Sequence, residues 1–216
     1  MRWTSVALAL GVLALAPALS AQVISIADAR QAPSGTLVTV EGAVTVASGT
    51  YTSSTFDEGF AVQDGTAGIY VSSAFNSGLD LHRRVRVTGT VGDDGFGQLV
   101  LRPAAPSDVV RLRGARRVAP DFVATAEVGE ATEGSLLAVR GTITRIVVDL
   151  PFGFQVFIND GSGETQVFIA ASTGIDPRTI PFMTVGRKIY AVGLSGQFLA
   201  QNEVLPRERG DLRPAH

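Results

Sequence analysis

The chain repeats itself, and that constrains its fold more than any other feature. Gly35-Thr-Leu-Val-Thr-Val-Glu-Gly42-Ala-Val-Thr45 recurs at identical spacing as Gly134-Ser-Leu-Leu-Ala-Val-Arg-Gly141-Thr-Ile-Thr144. Phe60-Ala-Val-Gln-Asp64-Gly65 then matches Val156-Phe-Ile-Asn-Asp160-Gly161, Val71 matches Val167, and Arg84-Val-Arg-Val-Thr-Gly89 matches Lys188-Ile-Tyr-Ala-Val-Gly193. The blocks keep their order and only the loops between them differ in length. A chain with a duplicated unit folds as two copies of one supersecondary plan. The copies run over 22–114 and 119–216, with 115–118 as the join.

Each copy has the period of strands. From Val38 onward, apolar residues fall on every second position through Val40, Val44 and Val46, and the same alternation recurs at Phe60 and Val62 and at Val85, Val87 and Val91. Asp64-Gly65 is a hairpin turn signal and Asp93-Asp94-Gly95-Phe96-Gly97 a glycine-rich one. The result is five strands per copy. Ser73–Leu81 is the place for a short helix in the first copy; Asp176–Met183 holds that place in the second, limited by Pro177 and Pro181. A long first strand bent at a glycine (Gly42, Gly141), a hairpin, an insert and a second hairpin predict an all-β protein of two tandem five-stranded OB-fold Greek-key barrels. An immunoglobulin-like sandwich would want about seven strands and a core Trp; the single Trp is Trp3.

The N-terminus reads as a cleaved signal peptide over 1–21. Arg2 precedes an uncharged apolar run, Val6–Leu15, then Pro17 and the small residues Ser20 and Ala21. The run is shorter than the about 20 apolar residues a membrane span needs. Export to the periplasm or beyond the cell is the expectation, and with no Cys there is no lipidation site.

Composition removes most catalytic chemistry. The chain has 0 Cys and 2 His, and one of those, His216, is its last residue. Thiolate metal sites and a Cys nucleophile are excluded, and a His-built metal centre or catalytic triad has too few parts. Asp57-Glu58 and Asp93-Asp94 fall in loops and read as turn residues. His82 reads as a surface residue. No phosphate-binding loop, nucleophile elbow or zinc-protease string occurs. The expectation is a protein without catalytic residues, metal or cofactor.

Binding is then the open question. OB barrels bind on the outer face of their second and third strands, between the loops joining strands one and two and strands four and five. Alternation places Tyr70 outward in the first copy, with Tyr51, Phe56 and Phe96 in the framing loops. Phe157 and Phe168 point outward in the second, either to stack on a ligand or to bury against the other barrel. Arg111, Arg113, Arg116 and Arg117 cluster at the join, and Arg83, Arg84 and Arg86 lead the fourth strand. Residues 22–118 carry 9 basic and 9 acidic side chains, against 8 and 11 in 119–216, so an electropositive path belongs to the first copy and the join. These ten residues, four Arg with Tyr51, Phe56, Tyr70, Phe96, Phe157 and Phe168, are the candidate site for single-stranded nucleic acid. The net charge of −2 supplies no whole-protein field to draw such a ligand in. A protein-binding or oligosaccharide-binding scaffold is the alternative.

The strings Ala29-Arg30, Val38-Thr-Val-Glu-Gly42-Ala-Val-Thr45, Gly59-Phe-Ala-Val-Gln-Asp-Gly65 and Gly68-Ile-Tyr-Val71, with Leu205-Pro206-Arg207 and Asp211-Leu212 in the second copy, resemble the OB-fold modules of bacterial extracellular proteins. Such modules are found beside secreted enzymes of the endonuclease/exonuclease/phosphatase type. The resemblance implies nucleic-acid binding, or an accessory role beside a separate secreted nuclease. The expectation is that no catalytic domain accompanies the two copies.

Overall fold

The computed structural model describes residues 22–51 and 57–215. The apolar N-terminal run read as a signal peptide, Phe56 and His216 lie outside the described residues. Two seven-stranded sheets follow one another. The first holds β1 (Val23–Ile24), helix α1 (Ile26–Gln31), β2 (Leu37–Val46), β3 (Phe60–Gln63), β4 (Gly68–Val71), β5 (Arg83–Asp93), β6 (Leu99–Arg102) and β7 (Val109–Ala115). The second holds β8 (Asp121–Phe122), β9 (Leu136–Asp149), β10 (Gly153–Asn159), β11 (Glu164–Ala170), β12 (Lys188–Phe198), β13 (Gln201–Leu205) and β14 (Leu212–Pro214).

In each sheet five strands close on themselves. The first runs β2-β3-β4-β6-β5 and returns to β2, the second β9-β10-β11-β13-β12 and returns to β9, with the pairs β4–β6 and β11–β13 parallel. That is the OB-fold order, twice. Closure turns on the two glycines. β2 pairs with β5 over Leu37–Ala43 and with β3 from Ala43 onward, so one strand serves both sides of the barrel. A Cβ at Gly42 would stand 3.0 Å from the Gln63 carbonyl oxygen, and one at Gly141 3.0 Å from backbone atoms of Asn159. The bend needs close backbone approach, which glycine gives at least cost.

The alternating residues fill the barrels as their period demands. Val38, Val40, Val44, Phe60, Val62, Ile69, Val85, Val87 and Leu101 are buried in the first, and Leu137, Val139, Ile143, Val156, Ile158, Val167, Ile169 and Ile189 in the second. Each Asp-Gly loop also ties down the segment that enters its barrel. Asp64 accepts hydrogen bonds from the backbone N–H of Ile26, at the start of α1, and of Thr66 and Ala67. Asp160 does the same for Thr125 and Ser162. The Ser162 and Thr125 hydroxyls hold the Asp160 carboxyl well below the usual range.

Two expectations need correction. Each sheet has seven strands, because the edge strands β1, β7, β8 and β14 flank the barrels. Residues 72–82 contain no helix; Ser73 folds that segment through its hydroxyl, bonded to Phe75. The helix lies instead at α1, whose cap, Ser25 accepting from Asp28 N–H while donating to its carboxylate, was readable as Ser-x-x-Asp.

Candidate nucleic-acid interface

The outward-facing residues of β3 and β4 in the first barrel do not reach solvent, because the second barrel sits on them. Val46, Tyr51, Ala61, Tyr70 and Val100 form one buried cluster with Ala170 and Leu194, against which Phe168 and Leu205 pack. Polar contacts stitch its rim. The Tyr51 hydroxyl donates to the Leu205 carbonyl, Leu136 N–H to Gln63 Oε1 (2.8 Å), Arg207 to the Thr45 carbonyl (2.8 Å) and Ser172 to the Thr50 carbonyl (2.9 Å). Arg30 of α1 reaches Glu133 at 3.4 Å, and the same carboxylate accepts from Leu99 N–H. At Gly68 and Gly134 the two backbones touch.

This joint relocates most of the aromatic candidates. Tyr70 points outward from β4 as its alternation required, yet it is 8% exposed because the second barrel covers it. Burial raises its hydroxyl pKa well above the ordinary value, as it does for Tyr51. Neither ring is open to a base. Phe168, half-buried, packs against the joint too. Phe157 is also buried, but under its own sheet: the Arg145 guanidinium lies over its ring at 3.7 Å and pairs with Glu164 at 3.6 Å. Phe96 alone among the described aromatic candidates is exposed, and it stacks on Phe198 at 5.2 Å, joining the β5–β6 loop to the end of β12. Asp93 and Asp94 are turn residues of that loop, accepting from Gly95, Phe96 and Gln98 N–H. Asp57 accepts from Gly59 and Ser73 N–H.

The arginines divide into two groups. Arg111 and Arg113 lie in β7, not in the connection, which occupies 116–120. The Arg111 guanidinium donates to the Ser77 and Gly78 carbonyls (3.0 and 2.9 Å), so it holds a loop. Arg84 and Arg86 both reach Glu41, Arg86 at 2.6 Å. Arg83, Arg113, Arg116 and Arg117 are exposed and make no side-chain hydrogen bond or ion pair among the described residues. The β5–β7 register brings the start of β5 to the end of β7, with Arg83 opposite Ala115 and Arg116 N–H on the His82 carbonyl.

Arg116 and Arg117 border a cleft of about 290 Å³ between the barrels, walled by the Asp64–Ala67 turn, Asp121 and Ser135. On the second barrel a cleft of about 250 Å³ is lined by Phe122, Arg140, Thr142, Asn159, Asp160 and Lys188. Asp121 borders the first and Phe122 the second, so β8 runs between them. No cluster of three metal-ligating side chains occurs among the described residues.

No protein-family model and no curated protein sequence matches the chain. Among solved structures it is similar to a murine DNA-binding protein bound to double-stranded DNA, with 11% identity, TM-score 0.44, and 82% of this chain and 96% of that one covered. It is also similar to a replication protein A heterotrimer bound to single-stranded DNA (9% identity, TM-score 0.32, covering 93% and 70%). A third is a variant of the single-stranded DNA-binding protein from Thermus aquaticus (14% identity, TM-score 0.25, covering 85% and 96%). Likeness at this level is too loose to carry a ligand from those proteins to this one.

Proposed function

We propose that the protein is an exported, non-catalytic pair of OB barrels that binds single-stranded nucleic acid weakly, by a path along the connection between the barrels. The observation that supports this is the group of four exposed arginines, Arg83, Arg113, Arg116 and Arg117, at the end of β7 and the mouth of the inter-barrel cleft. They have no acid partner among the described residues. Asp64 on the opposite wall has its oxygens taken by Ile26, Thr66 and Ala67. Arginines in this state release counterions when they meet phosphates. Export rests on the Val6–Leu15 run, and a role beside a separate secreted nuclease on the resemblance of the modules. No helix among the described residues is long and apolar enough to cross a membrane.

A protein-binding scaffold is the second reading. It is favoured by the β9–β10 tip, where Val148, Leu150 and Phe152 are all exposed.

Fluorescence anisotropy with a labelled single-stranded DNA, from low to physiological salt, tests the first reading. Replacing Arg83, Arg113, Arg116 and Arg117 with Ala should weaken binding and flatten the salt dependence by up to about 0.7 log units per lost phosphate contact. Arg111 is left out of this variant because its loss would release the 77–78 loop. If the wild-type chain shows no binding at low salt, the scaffold reading replaces this one.

A further inference from the structure

The joint hides the face that an OB barrel offers to a ligand. The second and third strands of the first barrel are β3 and β4, the pair on which OB folds bind. Ala61 and Tyr70 of that pair, with Tyr51 beside them, are buried under the second barrel.

Two properties set this contact apart from the barrel interiors. The first is that it leaves polar groups unmet. Among the described residues, four buried side-chain atoms have no hydrogen-bond partner, and three of them belong to residues at the joint: Thr45 Oγ1, Gln98 Nε2 and Glu133 Oε2. Parting the barrels gives each of them to water, which works against closure.

The second is a buried carboxyl without a cation. Glu203 on β13 lies opposite Gly196 of β12. A Cβ at Gly196 would stand 3.3 Å from Gln98 Oε1 of the first barrel and 3.9 Å from Glu203 Cγ, so the two side chains meet at that point. From β11 the Gln166 amide donates to Glu203 at 2.7 Å. Farther along β11, Glu164 is paired with Arg145. From the first barrel come Gln98 and the Tyr51 hydroxyl, whose ionisation Glu203 opposes. Both cations of the joint are occupied elsewhere: Arg207 with Asp211 at 2.8 Å and with the Thr45 carbonyl, Arg30 with Glu133 at 3.4 Å. A neutral carboxyl suits such a place and a carboxylate does not. Burial accordingly pushes the Glu203 pKa up to about 8.

We propose that the second barrel is a proton-held cover: with Glu203 neutral it stays on β3 and β4 of the first barrel, and loss of that proton lets the barrels part about the 116–120 connection and uncovers Tyr51 and Tyr70. This goes beyond the nucleic-acid reading and does not rest on it, since Arg83, Arg113, Arg116 and Arg117 take no part. Once uncovered, Glu203 ionises near about 4.3. Between about pH 5 and 8 the closed form therefore keeps a proton that the open form has lost. The open fraction rises about tenfold per pH unit over that range and levels off above it.

Amide hydrogen exchange of the full chain, followed by NMR from pH 5 to 8, tests the cover. Two amides report the joint alone: Leu99 N–H donates to Glu133 and Leu136 N–H to Gln63, each bond running from one barrel to the other. Val62 and Val156 lie in strands paired on both sides and report unfolding of the barrels themselves. After correction for intrinsic rates, Leu99 and Leu136 should be protected at least about tenfold less than Val62 and Val156. Their protection should fall about tenfold per pH unit. Glu203→Gln keeps the shape of the neutral acid and should hold both joint amides near their pH 5 protection throughout. If the joint amides share the protection of the barrel amides, the barrels part only by unfolding and the cover is refuted. A wild-type joint protection that does not change with pH, or an unchanged slope in Glu203→Gln, refutes the role of Glu203. Neither result bears on the arginine path, which the anisotropy titration tests separately.

Discussion

Gly68 is the most exacting position in the joint. A Cβ there would lie 2.1 Å from the Gly134 carbonyl oxygen, 2.6 Å from its carbon and 2.7 Å from the Ser135 Cα, where ordinary contact begins at 3.4 Å. All three atoms are backbone, so no side chain can rotate away. Gly68→Ala must therefore part the barrels locally by more than an ångström, or twist the β3–β4 hairpin. Opening a packed surface by 0.5–1 Å already forfeits about a quarter to a half of each contact's attraction, and the buried joint cluster and the Gln63–Leu136 hydrogen bond lie beside this point. Overpacking of this kind costs about 1–3 kcal/mol. For a chain of this size that is a fall in Tm of about 3–10 °C. Gly65→Ala is the control: it sits in the same hairpin with nothing within 4 Å of its Cβ, and should move Tm by about 1 °C at most. Differential scanning calorimetry decides between them. Equal transitions for the two variants would show that the barrels do not meet at Gly68 and would undo the account of the joint.

Other perturbations follow from the same interface. Burial pushes the Glu203 carboxyl up to about 8, against the lowering effect of its hydrogen bond from Gln166. An unfolded Glu ionises near about 4.3, so between these values the native chain keeps a proton that the unfolded chain has lost, and stability declines as pH rises from about 5 to 8. Glu203→Gln should flatten that decline in urea melts and leave stability near pH 5 little changed; an unaltered slope would assign it to other groups. Arg30→Met leaves the Glu133 carboxylate, 1% exposed, without its cation and with the Leu99 N–H still donating to it, and should cost about 3–5 kcal/mol at neutral pH, part of it recovered by adding Glu133→Leu; chemical denaturation of both variants measures this. Arg111→Ala should speed amide exchange around residue 79 while leaving strand amides unchanged, since it removes the donors to the Ser77 and Gly78 carbonyls.

The fold was legible because closing a small barrel leaves repeated marks in local sequence. Gly42 and Gly141 mark the bend, Asp64 and Asp160 the hairpin, and the alternating valines the inward face. What local sequence does not carry is what stands opposite an outward face. Tyr70 and Phe168 were placed on the correct side of their strands, but a surface formed by another barrel and one formed by solvent call for similar rings. The arginine cluster was visible by composition; that Arg111 is spent on two carbonyls depends on a loop 33 residues away. The substitution of Arg140 for Glu41 was readable from the repeat itself, in Val-Glu-Gly against Val-Arg-Gly. Its neighbours appear only once β5 and β12 are seen to set Arg84 and Arg86 beside the one and Lys188 and Tyr190 beside the other.

The repeat also indicates why β3 of the first barrel, and not β10 of the second, gives its outer face to the joint. The residue that stands outward on the strand after the bend is Ala61 in the first copy and Phe157 in the second, at the same distance before the Asp-Gly turn. Ala61 is fully buried in the joint, where only a small side chain lets the second barrel's Ala170 and Leu194 come near. Phe157 at the matching place carries a ring that β9 covers with Arg145. A small residue opens a face to another folded surface, and a large one capped by a charge keeps that face apart from it. The asymmetry of the joint therefore follows from a difference at one repeat position. Among the edges that neither barrel covers are the end of β7, the connection over 116–120, and β8.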